Sequence, residues 1–124
     1  MRVLVTGGCG FIASHVVNTL VERYPHYTVV SLDRGDACGS ARNCAASEGK
    51  PNYSLVRGDI TEPDFVRYVL ERERIDTVVH AAAQTHVDNS FGNSLRFTRD
   101  NVLGTHVLLE AARSVGTVTR FLHV

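Results

Sequence analysis

Apolar positions along the chain fall into short runs and longer periodic stretches that alternate from one end to the other. Arg2–Thr6 is a brief apolar run closed by Gly7-Gly8, the form of a parallel strand buried on both faces. Over Phe11–Tyr24 the apolar residues recur at Ile12, Val16, Leu20, Val21 and Tyr24, which predicts a helix stopped by Pro25. Thr28–Asp33 is dense in β-branched residues and predicts a second strand. Arg34 to Asn52 is small and polar, mostly loop, with one short helix near Ala41–Ser47. Tyr53–Arg57 predicts a third strand, ended by Gly58-Asp59. Thr61 then stands where an N-cap belongs, with Pro63 near N1 of a helix that ends near Arg74. Asp76–Ala82 predicts a fourth strand, followed by a polar loop. A long helix is predicted from about Ser94 to Val115, with Gly116 in the C′ position, before a fifth strand over Thr119–Val124. Strands and helices in this alternation, joined by right-handed crossovers, predict an α/β doubly wound parallel sheet of order 3-2-1-4-5. The sheet ends with the fifth strand, in one domain over residues 1–124 without internal repeats.

Composition narrows the function little. Lys+Arg and Asp+Glu both number 13, so no global charge argues for nucleic acid or an anionic membrane as partner. No run approaches a membrane span, and Met1-Arg2 leads straight into the first strand without a signal-peptide pattern. Cys9, Cys38 and Cys44 lack metal-type or C-x-x-C spacing, and the 6 His residues form no H-E-x-x-H pair. Reduced thiols, no metal and a cytoplasmic location are the expectation.

The junction between first strand and first helix carries the chemistry. Thr6-Gly7-Gly8-Cys9-Gly10-Phe11-Ile12-Ala13 fits both G-x-x-G-x-x-A and G-x-G-x-x-A. Glycines there let the backbone turn sharply and approach a pyrophosphate, which rests on the N–H groups and positive dipole end of the helix. Asp33 closes the second strand about twenty residues after Ala13, where a carboxylate accepts hydrogen bonds from ribose hydroxyls. Together they point to a Rossmann-type dinucleotide site. Asp33 repels a 2′-phosphate and favours NAD over NADP, whereas Arg34 beside it can accommodate such a phosphate. Asp59 either contacts the adenine edge or terminates its strand. Arg-Gly-Asp occurs twice, at Arg34–Asp36 and Arg57–Asp59, but an adhesion role needs secretion and an exposed loop tip.

The segments T-G-G-C-G-F-I-A-S-H, G-D-I, H-A-A-A-Q-T-H-V-D-N-S and D-N-V-L-G-T-H-V-L-L-E-A-A resemble the extended short-chain dehydrogenase/reductases. Within them the chain is most similar to nucleotide-sugar 4,6-dehydratases. Ala82 to Ser94 looks especially like the UDP-glucose 4,6-dehydratase domain of rhamnose synthases. The resemblance implies NAD as cofactor, with Gly7, Gly10, Phe11 and Ile12 on the pyrophosphate, Asp33 and Arg34 on the adenosine ribose, and Asp59 and Ile60 flanking adenine. It implies that Ala81, Ala82 and Ala83 run beneath the nicotinamide half and that Thr85 faces the sugar substrate. Asn101, inside the long helix, would organise the backbone of the site. His80 is assigned to strand packing, and His86 and Asp88 to loop structure or the substrate rim. The implied reaction forms a 4-keto-6-deoxy sugar nucleotide by internal hydride transfer, in a cytoplasmic homodimer whose helix contact includes the long helix.

The family's catalytic Tyr, Lys, Asp, Glu and Ser/Thr follow the fifth strand, and none is expected within these residues. The chain is therefore expected to bind the dinucleotide without turning over substrate. A 4-epimerase or decarboxylase of the same superfamily, and a non-catalytic NAD-binding module, are the alternatives. Two departures from the family pattern bear on the adenosine side. Gly35 and Ala37 stand in a segment that usually carries an aromatic, and Asp100 places an extra carboxylate before Asn101.

Overall fold

The structure is a computed structural model and describes residues 1–36 and 38–124. Five parallel strands form one sheet: β1 (Arg2–Thr6), β2 (Thr28–Asp33), β3 (Tyr53–Arg57), β4 (Thr77–His80) and β5 (Arg120–His123), in the order β3-β2-β1-β4-β5. The central strands are covered on both faces, which is why they read as unbroken apolar runs. On one face Val3, Val5 and Val29 meet Val17 and Val21 of helix α1 (Phe11–Arg23). On the other, Leu4, Val30, Leu32 and Val78 pack against helices α2 (Pro63–Arg72) and α5 (Gly104–Val115). Successive strand residues thus alternate between two cores.

A 3-10 helix occupies Ala41–Ser47. Two short helices, α3 (Val87–Gly92) and α4 (Ser94–Thr98), lead into a π-helical segment at Arg99–Leu103 that runs on into α5. Gly116 ends α5 in the left-handed region at φ 68°.

The structure differs from the sequence expectation in four places. Thr61 does not cap α2: its amide and hydroxyl both turn back to Asp59 Oδ1, at 2.9 and 2.8 Å, and Glu62 takes the N-cap position ahead of Pro63. The same helix stops at Arg72 because Arg74 turns left-handed at φ 50°. β4 ends at His80, two residues early: Ala81 N still donates to the Thr6 carbonyl at 3.3 Å, but Ala82 N turns to the Thr6 hydroxyl. The long helix from Ser94 is interrupted by the π segment, and part of the preceding loop is helical. Ala37 lies outside the described residues.

Candidate functional site

The strand order reverses between β1 and β4, and outside the carboxyl ends of these strands lies a crevice of about 440 Å³. Its floor is the turn from β1 to α1. Gly7 has φ 71°, and a Cβ there would lie 2.7 Å from the Cα of Ala82, so the turn can approach the end of β4 only as glycine. Gly10 is the N-cap of α1 and offers no side-chain cap, and the first turn holds no acid. The orphan N–H groups and the positive end of a 13-residue helix therefore open on the crevice, flanked by the exposed side chains of Phe11 and Ile12.

The β2 and β3 ends supply charge. Asp33 is held by two backbone amides, Cys9 N to Oδ2 at 2.9 Å and Gly35 N to Oδ1 at 2.7 Å. Arg34 is gripped by three carboxylates. Its Nη1 donates to Asp59 Oδ2 and Asp100 Oδ1, each at 3.1 Å, and its Nη2 donates to Asp36 Oδ2 and Asp100 Oδ2, each at 2.8 Å. The Arg34 guanidinium holds Asp36 and Asp100 below the usual carboxylate range. Burial works against ionisation of Asp59, yet the Thr61 amide and hydroxyl together with Arg34 still lower it. Its hydrogen bonds to Asp100 and then Asp36 raise Arg34 further above its ordinary value. Both Arg-Gly-Asp aspartates, Asp36 and Asp59, are thus drawn to one arginine inside a cleft rather than offered at a loop tip.

The β4 end is built differently. Ala81, Ala82 and Ala83 line the crevice with small side chains, and Gln84, Thr85 and His86 continue its wall. Asn101, in the π segment, clasps the backbone of Gln84: Gln84 N donates to Asn101 Oδ1 at 2.7 Å, and Asn101 Nδ2 donates to the Gln84 carbonyl at 3.0 Å. Beneath them runs a chain of neutral groups buried at its centre, at Thr6 and His80. Ala82 N donates to Thr6 Oγ1, which stands 2.7 Å from His80 Nδ1. His80 Nε2 lies 2.8 Å from Thr105 Oγ1, whose proton goes to the Asn101 carbonyl at 2.6 Å. With the Thr105 proton committed to the Asn101 carbonyl, Nε2 carries the ring proton and Nδ1 accepts from the Thr6 hydroxyl. His80 is 1% exposed, and burial, assisted by nearby His123, lowers its pKa to about 4, so it is neutral at physiological pH.

Every residue assigned to the cofactor from the sequence lines this crevice except Asn101, which acts on it through Gln84. His80 belongs to the strand core, His86 reaches the rim, and Asp88 stands exposed in the first turn of α3 without joining them. Asp36, Gln84, Thr6 and Thr105 were not singled out from the sequence. Only Asp100 carried a signal, as an unusual charge next to Asn101. Cys9 is buried, and burial followed by the Asp33 charge raises its thiol to about 11, so it stays protonated. Among the described residues no group of His, Cys, Asp and Glu is arranged to hold a metal, and no helix is long and apolar enough to cross a membrane.

Similar proteins are found by sequence and by fold. A trifunctional UDP-glucose 4,6-dehydratase/UDP-4-keto-6-deoxy-D-glucose 3,5-epimerase/UDP-4-keto-L-rhamnose-reductase of Arabidopsis thaliana is 55% identical over 123 residues, 99% of this chain and 18% of that protein. The dTDP-D-glucose 4,6-dehydratase of Mus musculus is 53% identical over 99% of this chain and 34% of its own length. The chain therefore spans about a third of the length of these relatives, or less. The crystal structure of a dTDP-glucose 4,6-dehydratase from Streptomyces venezuelae, with NAD bound, superposes with a TM-score of 0.90 at 39% identity, covering 98% of this chain and 38% of that one. Residues 4–124 match the family described as GDP-mannose 4,6 dehydratase, and to that family this chain belongs.

Proposed function

We propose that this chain is the NAD-binding part of an NDP-glucose 4,6-dehydratase, acting on UDP- or dTDP-glucose. The observation that carries the reading is the uncapped N-terminus of α1 opening on a crevice that also holds the Asp33 carboxylate. A pyrophosphate fits the first, because backbone N–H groups and the helix dipole there lack a protein partner. A ribose fits the second, because a carboxylate fixed by two amides keeps lone pairs for hydroxyl donors.

In this reading Gly7 and Gly10 keep the turn low and Phe11 and Ile12 present their amides to the pyrophosphate. Asp33 orients the adenosine ribose, while Asp59 and Ile60 flank the adenine. Ala81 to Ala83 leave room for the nicotinamide half, and Thr85 stands at the mouth for the sugar. Asn101 fixes the Gln84 backbone and with it the path of this segment. Bound NAD supplies reversible hydride exchange with the sugar. The Tyr, Lys, Asp and Glu of the implied reaction have no matching motif among these residues, so this chain binds and orients but does not complete the dehydration. The 53–55% identity to dehydratases from a plant and a mammal favours this over an epimerase. A cytoplasmic homodimer, joined in part through α5, is proposed with it.

Calorimetric titration of NAD into the chain tests the reading. Saturable binding that Asp33→Ala weakens is the expected result. Failure of NAD to bind, or formation of a 4-keto-6-deoxy sugar by the chain alone, would overturn it.

A further inference from the structure

The guanidinium of Arg34 has five N–H donors. Four of them, both on Nη1 and both on Nη2, point at carboxylate oxygens of Asp36, Asp59 and Asp100. Asp100 takes the two-pronged share, one oxygen to each terminal nitrogen, in the geometry Arg also uses to grip phosphate. The same Asp100 oxygen accepts from Gln84 Nε2 at 2.9 Å and lies 3.8 Å from Arg96 Nε. Asp36 is likewise tied to Gln84 Nε2 at 3.2 Å, and its carboxylate stands 4.0 Å from Arg96. Arg57 stands exposed at the end of β3.

We infer that Asp100, aided by Asp36, makes the site selective for NAD over NADP by occupying the Arg34 fork that a 2′-phosphate would need. Arginine beside the acid that ends β2 ordinarily invites such a phosphate. Here the phosphate would have to displace a buried carboxylate from a two-pronged ion pair and then stand among three more acids. Asp33 repels the phosphate directly, whereas Asp100 acts by holding Arg34. It is a specificity-determining residue 66 positions away in sequence from the arginine it holds. The inference rests on the dinucleotide reading above.

The test compares NAD and NADP affinities of the chain and of Asp100→Asn by calorimetry. Loss of the charge frees the fork, and NADP is expected to tighten about tenfold while NAD changes less than about twofold. Adding Arg34→Gln to that variant should erase the gain, which simple relief of repulsion would not. Asp36→Asn, whose side chain lies nearer solvent, should shift the ratio the same way by a few-fold, and it decides the matter if Asp100→Asn does not fold. An unchanged NAD:NADP ratio in the folded variants, or a gain that survives Arg34→Gln, overturns the inference. Failure of the unmodified chain to bind NAD would instead strike the function reading beneath it.

Discussion

Two polar networks converge on the π segment, and they obey opposite physics. One is the neutral chain from Ala82 N through the buried pair Thr6 and His80, and on through Thr105 to the Asn101 carbonyl. The other is the half-exposed charged cluster of Arg34 with Asp36, Asp59 and Asp100. In the first, Thr6 and His80 are buried at its centre, so a missing partner there leaves an unpaired buried atom. In the second, solvent and salt temper each contact, and loss of one pair changes local charge more than stability. The neutral network fixes where the β4 end lies, while the charged one decides which anions are tolerated near it.

His80→Ala should break the comparison most severely. It empties a buried ring volume and strands the Thr6 and Thr105 hydroxyls, for an expected loss of about 3–4 kcal/mol in urea unfolding. A loss below about 1 kcal/mol would show that the chain of hydroxyls is incidental.

Acid should reach the neutral network before the charged one. His80 falls from its ordinary 6.5 to about 4 in the folded chain, so the unfolded chain binds the extra proton between those values. Stability is full above 6.5, declines as pH falls toward 4, and levels below it, a total on the order of 3 kcal/mol. The lowered carboxylates of Asp36, Asp59 and Asp100 also stabilise, but their share is lost only below the ordinary carboxylate range. Thermal midpoints across pH check this, and His80→Gln should flatten the upper window alone.

A smaller effect is expected at the junction of the networks. A Cβ on Gly104 would lie 2.6 Å from Cδ1 and 2.8 Å from Cγ1 of Ile60, in the wall of the crevice. Gly104→Ala should cost about 2 kcal/mol by overpacking and weaken dinucleotide binding as Ile60 is pushed outward. Smallest of all, Asp36→Asn should change stability by less than about 1 kcal/mol, with the difference shrinking in molar salt. An effect insensitive to salt would place Asp36 with the buried network instead.

The strands and their order were legible because a parallel sheet covered on both faces leaves a strong apolar signal, as in T-V-V-S-L-D. The glycine turn and Asp33 were legible because their spacing is local. The Arg34 cluster was not, since its partners stand 2, 25 and 66 residues away in sequence. Helix α3 escaped notice because V-D-N-S-F-G buries no residue and so carries no apolar stripe. Thr61 misled for a physical reason: the Asp59 carboxylate is a better partner for its hydroxyl than the amides of α2.

The π segment can be understood as a phase adjuster. An α-helix turns about 100° per residue, so one extra residue in a turn rotates everything before it relative to everything after it. Below the segment, Val107, Leu108, Ala111 and Ala112 keep their stripe on the sheet. Within it, Asp100 lines the crevice and Asn101 holds the Gln84 backbone at the crevice wall, instead of following that stripe around. The same stretch of chain can thus satisfy a core and a binding cleft whose directions do not match.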